Sequence, residues 1–259
     1  MRHIARYYDL RGRERPFRVR ARLASPFVLN DQVTLDSLLA YAVVREEMGA
    51  DYWDQGVDAT KPECLMRPPL PLKKTHTRGN SGNRASVWHG SACIVPENSA
   101  RDLVRLKKHW DAAPQNERMV DYTGRGKIDT KAGPFKSWVM PHMTVSTPIV
   151  SWNGCGDATE TLRLLRAFLP AIGKKRNAGY GLVRQWDVEA TEVDASIVSV
   201  EGRIARPVPI PLDKVSLYTD VALQTYQPPY FLRQDARVCA AVGSRRTDGK
   251  VATFGVGES

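Results

Sequence analysis

The stretch Pro16-Phe-Arg-Val-Arg-Ala-Arg-Leu-Ala24 alternates strictly between apolar and basic side chains. Successive side chains of a β-strand point to opposite faces, so this pattern predicts a strand with one apolar face. The opposite face carries Arg18, Arg20 and Arg22. Such a strand is typical of a sheet that helices cover on one side only. The three arginines are candidates for RNA contact, and a solvated sheet face explains them equally well.

Helical spacing of apolar residues predicts the elements that cover this sheet. Residues 34–47 form one helix behind the N-cap candidate Thr34. A second helix begins at Asp157, and Glu160 follows at the position of the acid in a capping box. A third helix is predicted from Ser99, and strands are predicted at about residues 87–95, 137–152 and 182–190.

The main elements follow in the order strand, helix, strand, strand, helix, strand, with insertions in the middle. This order predicts an α+β fold of the ferredoxin-like, RRM-like type, an antiparallel sheet with helices on one face. We expect residues 1–195 to form this domain, with an insertion at about residues 51–136. Residues 196–259, which carry prolines between short apolar runs, are predicted to form a smaller β-rich extension.

Composition favours a polyanionic partner. The chain has 38 Lys and Arg residues against 28 Asp and Glu residues, a net charge of +10. Such a surplus favours nucleic acid first and an acidic membrane surface second. The four cysteines lack C-x-x-C spacing, so we expect no zinc site, no disulfide framework and a reducing cytoplasmic location. No apolar run approaches the roughly 18 residues of a membrane span.

A long loop is predicted from about Asp51 to Arg84, and its second half is basic. Loops of this length inside a domain are usually functional or disordered. Its composition suits an arm that lies on a phosphate backbone and a flexible solvated loop equally well. The candidate RNA-binding residues in this segment are Lys73, Lys74, His76, Arg78 and Arg84.

The stretch Ile172-Gly-Lys-Lys-Arg-Asn-Ala-Gly-Tyr-Gly-Leu-Val183 is the sharpest local signal. Its glycines allow positive φ and a close approach of backbone amides to phosphate oxygens, while its cations supply charge. A nucleotide-binding P-loop precedes a helix, whereas this loop follows one, and a helix C-terminus disfavours an anion. A polymer backbone held by several contacts therefore fits better than a single nucleotide. The predicted RNA-binding residues are Gly173, Lys174, Lys175, Arg176, Asn177, Gly179, Tyr180 and Gly181.

A capped helix that runs into a Gly-Lys-Lys-Arg-x-x-Gly-Tyr-Gly loop resembles the RAMP proteins of CRISPR–Cas systems. The stretch Leu23-Ala-Ser-Pro-Phe-Val-Leu29, which leads into Thr34-Leu-Asp-Ser-Leu-Leu-Ala40, is similar to the backbone-capping subunit of the Cas-five group. The similarity is greatest to the type IV variety. The resemblance covers about residues 16–48 and 157–190.

This resemblance implies a non-catalytic subunit of a class 1, type IV-like effector ribonucleoprotein. Such a subunit binds the 5′ handle of the guide RNA (crRNA) and caps the backbone filament. Its partners would be the backbone subunit, the large subunit and target DNA near the R-loop, with no cofactor, metal or membrane. The loop Gly173–Gly181 would lie against RNA, and Lys73–Arg84 and Arg125–Lys136 are candidates for a thumb-like projection.

The first alternative is a metal-independent RAMP endoribonuclease that processes guide precursors. Such cleavage needs a general base and an acid, for which histidine is suited. His76 is the best placed because it lies among Lys73, Lys74 and Arg78. The other histidines are His3, His89, His109 and His142.

Two further alternatives fit less well. A general RRM module would use Gly179-Tyr-Gly-Leu-Val183 as its RNP1 core, but Ala178, Leu182 and Gln185 stand where a basic residue and stacking aromatics are needed. A membrane-surface protein would carry its cations on an amphipathic helix, and here they fall on a strand and in loops. Trp138 and Trp152 are the candidate stacking platforms among the tryptophans.

Overall fold

The computed structural model describes residues 13–28, 33–50, 67–78, 84–108, 131–133, 136–230 and 232–252. Two α-helices and a set of antiparallel strands make up these residues, which confirms the predicted α+β class. In chain order the elements are β1 (Arg15–Leu23), β2 (Phe27–Val28), α1 (Leu35–Met48), β3 (Lys74–Arg78), β4 (Arg84–Trp88), β5 (Ala100–Lys108), β6 (Trp138–Ser146), β7 (Ile149–Gly156), α2 (Ala158–Phe168), β8 (Val183–Ala190), β9 (Val208–Pro209), β10 (Val221–Gln224) and β11 (Arg237–Ala240). None of the described helices is long and apolar enough to cross a membrane.

The main sheet has the order β7-β1-β8, with β1 antiparallel to both neighbours. Phe17, Val19 and Ala21 are buried in the main core, while Arg20 and Arg22 are exposed on the other face. The alternation predicted from the sequence is therefore confirmed. A further segment, residues 90–94, forms isolated antiparallel bridges to the outer edge of β7. It lies where the sequence predicts the strand of residues 87–95, which the structure divides between β4 and these bridges.

Both helices pack on the apolar face of this sheet. Leu35 and Leu39 from α1 join Leu164 and Leu165 from α2 in the main core. The N-cap of α2 is confirmed, because the Asp157 carboxylate accepts a hydrogen bond of 2.9 Å from the amide of Glu160. At α1, Thr34 holds the N-cap backbone position without a side-chain cap bond.

The predicted helix from Ser99 is wrong, because residues 100–108 form strand β5. This strand pairs with β6 along its whole length, from Ala100 opposite Ser146 to Lys108 opposite Trp138. The Ser99 hydroxyl donates to the Pro96 carbonyl oxygen at 2.6 Å and closes a turn there. Nine residue pairs with a distant strand outweigh the weak local helical spacing of three apolar residues.

The predicted loop of residues 51–84 is wrong in its second half. Residues 74–78 form β3, which pairs with β4 as an antiparallel hairpin, here called the basic hairpin. Thr75 and Val87 are opposite each other and buried, so one face of the hairpin packs against the rest of the protein. Residues 51–66 lie outside the described residues.

The C-terminal strands form a smaller sheet of order β10-β11-β9 with its own apolar cluster. Ile204, Val208 and Cys239 are fully buried there, and Val87 from the basic hairpin packs among them. The described part of this region contains three short strands and no α-helix. The division of the chain into residues 1–195 and 196–259 stays a prediction.

A buried ion pair joins this C-terminal region to α1. The Arg206 guanidinium, fully buried, donates at 3.1 Å to the Asp36 carboxylate, and both side chains have 0% exposure. It also donates to the carbonyl oxygens of Trp88, Gly90 and Tyr226. Burial opposes its charge, yet Asp36 and the Tyr230 hydroxyl raise the pKa of Arg206 above its ordinary value.

A second polar joint connects the basic hairpin to the segment after β8. His89 Nε2 lies 2.5 Å from the Thr75 hydroxyl, and His89 Nδ1 lies 2.6 Å from the Asp194 carboxylate. Burial alone would raise the pKa of Asp194, but hydrogen bonds from His89 and Ser196 outweigh it and lower that pKa to about 2. Two polar joints therefore fix the hairpin and the C-terminal sheet on the main sheet.

Exchanging Asp36→Asn should strongly destabilise the fold. The substitution keeps the shape of the side chain but leaves the buried Arg206 charge without its anion, a change that costs about 3–5 kcal/mol in comparable sites. Chemical denaturation measures the free energy of unfolding. The matched control is Glu46→Gln, which breaks an ion pair with the half-exposed Arg163 and should cost less than about 1 kcal/mol. Equal losses for the two variants would contradict the central role given to the buried pair.

Candidate nucleic-acid interface

The loop Gly173–Gly181, the glycine-rich loop, is held at both ends by backbone contacts. The amide of Gly181 donates to the Pro26 carbonyl oxygen at 2.8 Å, and the amide of Lys174 donates to the Val28 carbonyl oxygen at 3.3 Å. A Cβ added at Gly181 would lie 2.0 Å from the Ile172 carbonyl oxygen, and one at Gly173 would lie 2.7 Å from that of Val28. These two glycines are therefore required by close packing inside the protein.

The tip of the loop is open to solvent. Lys175 adopts a left-handed φ of 60°, residues Arg176–Ala178 form one turn of 3-10 helix, and Gly179 follows with a φ of 84°. A Cβ added at Gly179 would meet nothing within 4 Å. The Ser25 hydroxyl donates to the Gly179 carbonyl oxygen at 2.8 Å, so the tip is ordered although it is exposed.

The three cations of the tip have no acidic partner among the residues that the structure describes. Lys174 is exposed, Lys175 Nζ lies 5.7 Å from the ring centroid of Trp138, and Arg176 lies 5.1 Å from that of Tyr41. The loop thus carries three positive charges next to two aromatic rings. Sequence reasoning missed Tyr41, because only the folded chain brings the side of α1 against a loop more than a hundred residues later.

The two candidate stacking tryptophans have different surroundings. Trp138 is half-buried at the start of β6, beside the glycine-rich loop. Trp152 has 0% exposure in the main core, and its indole N–H donates to the Val33 carbonyl oxygen at 2.9 Å. The suggestion that Trp152 stacks on a base is therefore wrong, since no face of its ring reaches the surface.

The arginines of β1 have partners on the solvent face of the sheet. Arg20 pairs with Glu189 at 2.6 Å and Arg22 with Asp187 at 3.3 Å. Arg18 Nε donates to the Asn153 amide oxygen at 3.1 Å. The carboxylates of β8 balance the charge of two of the three arginines, so this face attracts an anion less than the loop does. RNA contact by Arg18, Arg20 and Arg22 stays a prediction.

The basic hairpin lies at the other end of β1 from the glycine-rich loop. Leu72, the residue before Lys73, forms a β-bridge with Gly156, which pairs with Arg15 at the start of β1. The glycine-rich loop leads into β8, whose first residue pairs with Leu23 at the end of β1. The length of β1 separates these two ends by about 26 Å, at roughly 3.3 Å per residue. The structure therefore does not bring the two groups of predicted RNA-binding residues together. Arg78 and Arg84 face each other in the hairpin register, and their side chains lie outside the described residues.

The candidate histidines are dispersed. His76 is exposed on the basic hairpin, and its Nδ1 lies 2.8 Å from the Ser86 hydroxyl. His89 is buried between Thr75 and Asp194, and His142 is half-buried on β6. His3 and His109 lie outside the described residues.

Strands β5 and β6 form a ribbon that is exposed over most of its length, and the short strand β2 pairs with β6 near one end of it. Residues 109–137 connect its strands, so the predicted thumb segment Arg125–Lys136 belongs to that connection and lies largely outside the described residues. One face of the ribbon carries cations beside exposed apolar side chains. The members of this face are Arg101, Leu103, Arg105, Lys107, Val139 and Met143.

Comparison with known proteins identifies the family. A search of curated proteins found no match. Among solved structures, a chain of the assembly described as "Cryo-EM structure of the Type III-B Cmr-beta bound to cognate target RNA" is 8% identical, with a TM-score of 0.34. The match covers 69% of this chain and 61% of that chain.

The match to a family model is far more extensive. The model described as "CRISPR type IV associated protein Csf3" matches residues 15–241. This range runs from the start of β1 past the end of β11 and includes both helices and the glycine-rich loop. The resemblance to type IV CRISPR proteins predicted from the sequence is confirmed: the chain belongs to the CRISPR type IV-associated Csf3 family.

Proposed function

We propose that this chain is a non-catalytic RAMP subunit that binds the 5′ handle of the guide RNA with its glycine-rich loop and caps the backbone filament. Family membership supplies the coarser statement, that the chain is a subunit of a type IV CRISPR-associated complex. The observation that carries the finer proposal is the loop itself. Its three cations are displayed on a backbone anchored by Gly173 and Gly181 and have no acidic partner among the described residues.

The strand order supports a ferredoxin-like arrangement. Segment 90–94, β7, β1 and β8 lie side by side, antiparallel, with α1 and α2 on one face. Along the chain, β1 comes first, segment 90–94 second, β7 third and β8 fourth. Their order across the sheet is therefore second, third, first, fourth, which is the order of a split βαβ unit. The glycine-rich loop then lies between the second helix and the fourth strand.

Backbone N–H groups without a hydrogen-bond partner strengthen the attraction of the loop for an anion. The amides of Lys175, Arg176 and Asn177 donate to no group among the described residues. Successive free N–H groups in a turn that contains a left-handed residue suit phosphate oxygens. The C-terminal end of α2 disfavours an anion, and three cations with these amides are sufficient to outweigh a partial charge of about half a unit. The combination favours several phosphates of one strand.

The ribbon is our candidate for contact with the neighbouring subunits. Leu103, Val139 and Met143 on one face are 47%, 59% and 48% exposed. Exposed apolar side chains that share a face are typical of surfaces that bind a partner. We propose that the ribbon contacts the backbone subunit, while the large subunit and target DNA near the R-loop complete the assembly.

Exchanging Lys174, Lys175 and Arg176 together for Ala should weaken RNA binding by at least a hundredfold. The plot of log affinity against log salt should also lose about 2 units of slope, because each phosphate contact on a single strand contributes about 0.7. Fluorescence anisotropy with a labelled single-stranded handle RNA measures both quantities. The matched control exchanges the exposed cations Arg203, Lys214 and Lys250 for Ala, which removes the same charge elsewhere. Equal losses in the two triple variants would show only a general charge effect.

Two glycine substitutions separate packing from RNA contact. Gly179→Asn should leave the free energy of unfolding within about 1 kcal/mol of wild type, because Asn tolerates left-handed φ and the space is open. The Asn side chain would fill the open space next to position 179 at the loop tip and would weaken RNA binding about tenfold. Gly181→Ala should instead destabilise the protein, since its Cβ would lie 2.0 Å from a carbonyl oxygen. Wild-type affinity in Gly179→Asn would exclude a close approach of RNA to the tip.

The endoribonuclease remains the second candidate because His76 is exposed beside Lys74 on the basic hairpin. We expect no cleavage, because a general base and an acid must act together at one phosphate and the described histidines are dispersed over the protein. Handle-containing precursor RNA, incubated with the protein under chelator, should stay intact for wild type and His76→Ala alike. Cleavage by wild type that His76→Ala abolishes would overturn the non-catalytic assignment.

A further inference from the structure

A small cleft lies between the basic hairpin and the C-terminal region, away from the glycine-rich loop. Its volume is about 170 Å³. The hairpin and the residues just before it supply one wall, and residues 226–228 supply the other. The lining residues are Arg67, Pro68, Lys74, Ser86, Trp88, Tyr226, Gln227 and Pro228.

Two cations, Arg67 and Lys74, line this cleft, and the carboxylate of Asp235 contacts the first of them. Arg67 donates through Nη2 to both oxygens of Asp235, at 2.9 and 2.8 Å, and is neutralised by it. Lys74 has no acidic partner among the described residues, and partial burial together with the Arg67 charge lowers its pKa. The cleft therefore keeps an excess of one positive charge, which a bound anion would relieve.

The walls select the kind of anion. Lys74 Nζ lies 4.8 Å from the ring centroid of Trp88 and covers that face of the indole, so a base does not stack there while Lys74 stays in place. Ser86 and Gln227, which carry hydrogen-bonding side chains, also line the cleft, and the Ser86 hydroxyl lies 2.8 Å from His76 Nδ1. A compact oxyanion fits this arrangement better than an aromatic ring, because cations and polar groups surround a small space.

We propose that this cleft binds a backbone phosphate of the same RNA strand that the glycine-rich loop holds. The inference rests on the proposed function and adds a second contact point. The cleft and the loop lie towards opposite ends of β1, a strand about 26 Å long at roughly 3.3 Å per residue. A stacked strand rises about 3.4 Å per nucleotide, so RNA that runs the length of β1 from one contact to the other includes about eight nucleotides.

The test compares two lysines. Lys74→Gln removes the charge in the cleft. The matched control Lys214→Gln removes the same charge from an exposed side chain that does not line the cleft. Fluorescence anisotropy with a labelled single-stranded RNA of about twenty nucleotides, which spans both contacts, is measured over a range of salt concentrations. The loop variant with Lys174, Lys175 and Arg176 exchanged for Ala is measured in parallel.

Lys74→Gln should weaken binding about five- to tenfold and reduce the salt slope by about 0.7, the share of one phosphate contact. Lys214→Gln should change neither quantity. The loss from Lys74→Gln should also add to that of the loop variant, because sites more than about 10 Å apart act independently.

Two outcomes overturn the proposal in different ways. If Lys74→Gln binds RNA like wild type, or no worse than Lys214→Gln, while the loop variant fails, the cleft is not a phosphate site and the proposed function stands. If the loop variant also binds like wild type, the proposed function fails and this inference fails with it.

Discussion

The ion pair between Arg206 and Asp36 constrains the arrangement of the whole protein. A buried guanidinium needs acceptors for its donors, and the two Nη groups of Arg206 find them in α1, at the end of β4 and the turn after it, and in the C-terminal region. The contacts cannot form unless those three parts meet at one point. Because α1 also packs on the main sheet, the pair fixes the C-terminal region at the end of the sheet where β3 and β4 lie.

This constraint gives the protein two separate basic surfaces. The basic hairpin is fixed at one end of β1 by the ion pair and by the contact between His89 and Asp194. The glycine-rich loop is fixed at the other end by backbone contacts with Pro26 and Val28. Between them, two of the three sheet arginines, Arg20 and Arg22, are balanced by Glu189 and Asp187. The distribution of carboxylates, more than that of cations, therefore decides where an anionic strand is attracted.

The sequence was informative where a local pattern carries the structure. Strict alternation predicted β1, the Asp157 cap predicted α2, and the glycine spacing predicted the loop. It failed where the deciding contact is distant: β5 is a strand because it pairs with β6, beyond a connection of residues 109–137. For the same reason the contact of Tyr41 with Arg176 could not be foreseen, nor could the carboxylates that balance the sheet arginines. Spacing along a chain does not encode these partners.

Two of the cation–aromatic contacts bear on how the proposed RNA strand would be held. Lys175 lies over Trp138 beside the loop, and Lys74 lies over Trp88 in the cleft. Each lysine covers a ring face on which a base would otherwise stack, and each presents its charge at the surface. Stacking platforms with open faces serve proteins that hold bases, whereas covered rings orient the charges that hold phosphates. Binding of this kind depends on the path of the backbone and tolerates any base sequence.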